Sequence, residues 1–189
     1  MVLRYKVTLT GIKGFYRIYH LDGETSLYTF HKQLQADLEF PQDQLIVFKA
    51  FDAEGGVVAR YGLFDLGSGT VDNVTAAETV AAGVVGFTYF YDVTNKKSVN
   101  IALEGEVTGV SVEVDFPVLV DSKGPEPLAF ENGYVAYEDL PDELKKPARS
   151  KEDDPDDEDF DFDADEDEES EEDDDDEEGK EIYDGSESF

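Results

Sequence analysis

The sequence predicts an α+β domain, with largely antiparallel sheets around one main helix, followed by a disordered acidic tail. Three observations carry this reading. At the N-terminus Leu3, Tyr5, Val7 and Leu9 alternate with Arg4, Lys6 and Thr8, the period of a strand with one buried face. The period then changes, because Leu27, Phe30, Leu34 and Leu38 fall three and four apart and so share one helical face. Finally, residues 151–189 hold 25 Asp and Glu against only Lys151 and Lys180, which places −23 of the chain's −32 there and leaves −9 on the first 150 residues. A like-charged block with so little apolar content cannot bury enough surface to offset the chain entropy lost on folding.

The elements follow in order. After the first strand, Val2 to Thr10, the stretch Gly11 to Gly14 reads as a break, and Phe15 to Leu21 resumes the alternation as the second arm of a hairpin. Asp22-Gly23 punctuates the next turn, and Thr25 or Ser26 can cap a helix from Ser26 to Leu38. Pro41 is expected to stop it, since the residue before a proline is pushed out of helical geometry. Gln44 to Phe51 is a third strand, and Gly55-Gly56 turns it into a fourth, Val57 to Tyr61. Beyond a loop from Gly62 to Asn73, Thr75-Ala76-Ala77-Glu78 has capping-box spacing, with Gly83 placed to end a short helix. Gly86 to Asp92 and Ser98 to Leu103 form a hairpin across Asn95-Lys96-Lys97, and Phe116 to Val120 is a last strand. Many strands, one sizeable helix and no βαβ rhythm indicate an α+β sandwich-like domain with a largely antiparallel sheet.

The organisation expected is a domain over residues 1–149 and a tail over 150–189. Residues 121–149 contain Pro125, Pro127, Pro141 and Pro147, yet also Leu128, Phe130, Tyr134, Val135 and Tyr137, which is too apolar for a free linker. This stretch is expected to pack on the domain as an arm. The chain has no Cys, which excludes disulfides, thiolate zinc sites and thiol nucleophiles and fits a reducing compartment; with Arg4 and Lys6 interrupting the N-terminus, a cytoplasmic protein is expected. No apolar stretch approaches the ~20 residues of a membrane helix, so no membrane partner is expected. The domain's own acidity argues against direct nucleic-acid binding, whose affinity comes from Lys and Arg on phosphates. No oligomeric state is implied.

Several strings, in order, resemble the landmarks of one known family. Lys6-Val7-Thr8-Leu9-Thr10-Gly11-Ile12-Lys13, followed by Phe15-Tyr16-Arg17-Ile18, is close to that family's opening strand. Leu27, His31 and Gln35 fit its helix, Tyr61-Gly62 a following landmark, and Tyr91, Asp92, Ile101, Leu103 and Glu104 its second hairpin. Gly133-Tyr134 and Glu138 fit its C-terminal region, so the resemblance spans roughly residues 4 to 137. Two departures stand out. The family's paired histidines are replaced at Gln44 and Ile46, and its acidic-aromatic hairpin turn is absent at Thr94 to Val99. On these strings the chain resembles the plasmid and transposon passenger proteins named after the third open reading frame of an Ri plasmid, also labelled TnpR-like, and the resemblance implies strands around a helix and an association with mobile elements, with no established chemistry.

For chemistry, two histidines without cysteine cannot supply the three or four ligands of a zinc site, so no metal or cofactor is expected. His31 and His20 read as structural, hydrogen-bonded side chains. Gly67-Ser68-Gly69-Thr70 lacks the ending of a phosphate loop, and Ser68 and Ser98 have no base at identifiable spacing. Asp161, Asp163, Asp165 and Glu172 match calcium-loop spacing, but Glu166 stands where glycine makes the turn. No catalytic residue is assigned. The leading expectation is a non-enzymatic interaction domain whose tail recruits or shields a basic protein surface, with Tyr183 and the terminal Phe189 as its apolar contacts. The alternative is a small-ligand or enzymatic site where a cation, a phenol and a carboxylate converge at Arg17, Tyr91 and Asp92.

Overall fold

The computed structural model describes residues 1–109 and 115–145. The acidic tail over 150–189, its calcium-like spacing and both Tyr183 and Phe189 lie outside the described residues.

Seven strands form one antiparallel sheet. In chain order they are β1 (Val2–Leu9), β2 (Ile12–Asp22), β3 (Val47–Phe51), β4 (Val57–Gly62), β5 (Gly86–Asp92), β6 (Lys97–Val107) and β7 (Val118–Lys123). Their order across the sheet is β4-β3-β5-β6-β1-β2-β7. Helix α1 (Leu27–Asp37) follows the β1–β2 hairpin, α2 (Ala76–Ala81) lies between β4 and β5, and α3 (Pro127–Glu131) follows β7. The fold is therefore α+β, a sheet with one principal helix, as the two periodicities require.

One face of the sheet makes the core. Leu3, Tyr5 and Val7 of β1, Phe15, Tyr19 and Leu21 of β2, Phe48 of β3 and Phe87 and Tyr89 of β5 are all buried, at alternate positions along their strands. Helix α1 lays Leu27, Phe30 and Leu34 on this layer. The Phe30 ring lies 5.8 Å from Tyr5, 5.5 Å from Tyr19 and 6.4 Å from Phe48, so a single side chain knits three strands to the helix. Ser26 caps α1 by accepting from the Thr29 amide, and Thr75 and Glu78 close a reciprocal capping box on α2. Gly83, with φ 81°, ends that turn.

Four boundaries differ from the sequence reading, each for a local reason. The β1–β2 turn occupies only Thr10 and Gly11, and Gly14 lies inside β2 rather than in a break. A Cβ at Gly14 would overlap the Ala136 side chain, so this glycine admits the returning arm. Strand β3 starts at Val47, the first residue to pair with β4 and β5, and not at Gln44, whereas α1 ends as expected, with Leu38 as its C-cap and Glu39 at φ 54° ahead of Pro41. Strand β6 runs on through Gly105, whose φ of 129° absorbs a register shift opposite Arg4 and Tyr5. The last strand begins after Pro117, which has no amide hydrogen for the ladder.

Candidate functional site

The end of β5 gathers the residues with the most chemistry. Tyr91 and Asp92 close that strand, and both are buried at 6% exposure although they lie beside the hairpin turn. Glu39, Phe40 and Pro41 from the segment after α1, Lys97 at the start of β6, and Leu128 and Glu131 of α3 complete a small depression of about 80 Å³. The Phe40 and Tyr91 rings stack in parallel, 3.8 Å between centroids and 7° between planes.

Glu131 reaches this site from α3 and divides its carboxylate between two partners. The Tyr91 hydroxyl donates to Oε1 at 2.8 Å, and the Lys97 ammonium donates to Oε2 at 2.5 Å. Burial, reinforced by this carboxylate, pushes the Tyr91 phenol well above its ordinary value, so it stays protonated and serves as a donor. The hydrogen bond to Glu131 raises Lys97 in turn. Asp92 is occupied separately: it accepts from the Asn95 side-chain amide at 2.7 Å and from the Asn95 backbone at 2.9 Å, and these bonds hold its carboxyl below the usual range.

Two of the three residues expected to converge therefore do, and Arg17 does not join them. Arg17 sits on β2, opposite Val7, which pairs with Ile101 and so with Phe87, placing it three strands across the sheet from β5. There it is buried at 5% exposure and donates to the carbonyls of Tyr16, Lys123 and Gly124 at 3.0, 2.7 and 3.0 Å. Its guanidinium also lies 4.7 Å from the centre of the Phe15 ring. Arg17 thus fastens the end of β7. The cation that meets the phenol and carboxylates is Lys97, which the sequence reading did not single out although Asp92 and Lys97 are register partners across the hairpin. Glu131 had no such signal, because its place depends on the path of the arm.

Glu131 and Asp92 each accept two hydrogen bonds inside the cluster, and Glu39 lines the same depression as a third carboxylate. The space beside Phe40 and Asp92 is below the several hundred Å³ of ordinary small-molecule sites, whereas Tyr91, Lys97 and Glu131 also border an open depression of about 370 Å³ with Leu9, Ile12 and Phe130. His31 is buried against Tyr89, with Nδ1 2.7 Å from the phenol oxygen, and has no second histidine. Among the described residues, no group of three or more His, Asp or Glu side chains could hold a metal ion, and no helix is long and apolar enough to cross a membrane.

Comparison with known proteins bears on the chain as a whole. The family model of plasmid pRiA4b ORF-3-like proteins matches residues 1–171. A crystal structure of a protein of unknown function from Methanosarcina mazei Go1 superposes with a TM-score of 0.56 at 17% identity, covering 69% of this chain and 78% of that one. At that identity the likeness concerns the fold. No curated protein matches.

Proposed function

The chain belongs to the plasmid pRiA4b ORF-3-like family, and from that membership, which names an open reading frame rather than a reaction, we propose a non-enzymatic interaction domain whose anionic C-terminal segment recruits or shields a basic partner. The observation that carries the proposal is the chain's charge surplus, set beside a cluster of the described residues whose polar groups bond largely to one another. Tyr91, Lys97 and Glu131 satisfy one another, Asp92 is held by Asn95, and Arg17 is spent on backbone carbonyls. What the chain has in surplus is charge: residues 151–189 hold 25 acidic residues against two lysines. Such a segment attracts basic surfaces over about 10 Å at 0.1 M salt, and less at higher ionic strength. Tyr183 and Phe189, which interrupt the acidity at the end of the chain, would give that attraction an apolar foothold.

The small-ligand alternative retains Tyr91 and Asp92 in one depression but loses Arg17, and the Tyr91 hydroxyl is already donated to Glu131. A capture experiment separates the readings. The full chain and a chain stopped after Arg149 are used as baits at low and high salt, and bound proteins are identified. Basic partners held by the full chain at low salt alone are the expected result. An identical set of partners in all four conditions would remove the proposal.

A further inference from the structure

The sheet face turned away from α1 carries Arg4, Lys6, Lys49, Arg60, Thr88 and Phe90 at intermediate or full exposure. At its β4–β3–β5 end, Val47, Phe90 and Val93 form an apolar floor rimmed by Lys49, Arg60 and Lys96, around a depression of about 370 Å³. None of these six residues is acidic, in a chain with 47 Asp and Glu against 15 Lys and Arg. The three cations also have no carboxylate partner among the described residues, whereas Arg4, Lys97, Lys123 and Lys145 each pair with one.

Two local choices there work against stability. Lys49 and Arg60 are direct register partners across β3 and β4, so like charges face each other on one side of the sheet, an unfavourable arrangement. Lys96 takes φ 58°, a left-handed conformation that a long side chain adopts at a cost and that Gly or Asn would adopt more easily. Both departures bring positive charge to the same groove.

We propose that this groove docks an acidic peptide segment of a partner protein, one that carries an aromatic or large apolar side chain. The ring lies on Val47, Phe90 and Val93, and the flanking carboxylates meet Lys49, Arg60 and Lys96. A short segment suits the site better than a nucleic acid does, because three clustered cations can neutralise a few carboxylates. A continuous phosphate backbone would run on across a domain that is itself net negative. This inference goes beyond the role proposed for the C-terminal segment: it concerns the folded domain and a partner of the opposite charge.

The test is fluorescence anisotropy with the full chain and a labelled short peptide in which Asp and Glu flank one Phe, at about 20 mM and about 300 mM salt. Saturable binding at low salt is expected, weaker at high salt, and about tenfold weaker for Lys49→Glu or for a peptide with Ala in place of Phe. Lys49→Glu sets a carboxylate opposite Arg60 and replaces repulsion with attraction, so the variant should melt no lower than the parent, and a loss of binding cannot be ascribed to misfolding. Phe90→Thr, a half-exposed position suited to a strand, tests the apolar floor separately and should also weaken binding. The proposal is overturned by absence of saturable binding, by equal affinity of both variants and the parent, or by an oligonucleotide that binds more tightly than the peptide at the same salt.

Discussion

His31 on α1 and Tyr89 on β5 share a hydrogen bond inside the core, with Nδ1 and the phenol oxygen 2.7 Å apart and the two residues 5% and 0% exposed. Burial lowers the imidazole pKa to about 4 and raises that of the phenol, so the pair is neutral at physiological pH. The unfolded chain, whose histidine titrates near ~6.5, binds the proton more readily than the folded one. Stability contributed by the neutral imidazole is therefore complete above that value and is lost as pH falls toward 4. The loss is on the order of 3 kcal/mol. Urea unfolding of the parent and of His31→Gln across this window should give a shallower pH slope for the variant. Parallel slopes would show that His31 does not titrate differently on folding.

Arg17 should behave as a structural cation. Arg17→Met leaves the carbonyls of Lys123 and Gly124 without their donor in a part-buried setting and removes the cation from the Phe15 ring. A loss of about 2–3 kcal/mol is expected. Amide exchange should quicken first in β7, where these carbonyls lie. A variant with parental stability and unchanged β7 protection would mean that Arg17 is free for another role.

Gly14 and Ala136 form a size-matched pair. A methyl group at Gly14 would overlap the Ala136 side chain, which is itself buried at 4% exposure. Gly14→Ala should displace the arm and destabilise by about 1–3 kcal/mol. Ala136→Gly, added to it, should recover part of that loss because it vacates the contested space. A double-mutant cycle reads the coupling directly, and strict additivity would show that the two positions do not meet.

The parts of the fold that were legible are those set by local patterns. Alternation at Leu3, Tyr5 and Val7 and the three-four spacing at Leu27, Phe30 and Leu34 each report one buried face, and the capping box at Thr75 and Glu78 is read from adjacent residues. Boundaries failed where a distant segment decided them. Gly14 looks like a strand breaker until Ala136 is seen to need its place, and the strand expected to end at Leu103 runs on because Gly105 absorbs a register shift. The candidate site divided in the same way. Tyr91 and Asp92 are neighbours in sequence and stay together, whereas Arg17 was joined to them by residue type alone, and the sheet order separates it. Glu131 was invisible because its partners lie 40 and 34 residues earlier, linked only by the path of the arm.

The double engagement of Glu131 allows its two contacts to be ranked. Its pair with Lys97 is partly exposed, at 40% and 33% for the two side chains, and exposed pairs contribute less than about 1 kcal/mol. Its bond from Tyr91 involves a buried phenol whose loss of partner carries a desolvation penalty of about 1–3 kcal/mol. The phenol contact should therefore dominate. Glu131→Gln keeps an acceptor for the phenol and removes only the ion pair, so it should cost under about 1 kcal/mol, whereas Glu131→Ala should cost about 2 kcal/mol. Tyr91→Phe, which removes the donor while keeping the stack on Phe40, should erase most of the difference between those two variants. Chemical unfolding of the three single variants and of both double variants with Tyr91→Phe measures this. Equal losses for Glu131→Gln and Glu131→Ala would reverse the ranking and make the Lys97 pair the principal tie between α3 and the sheet.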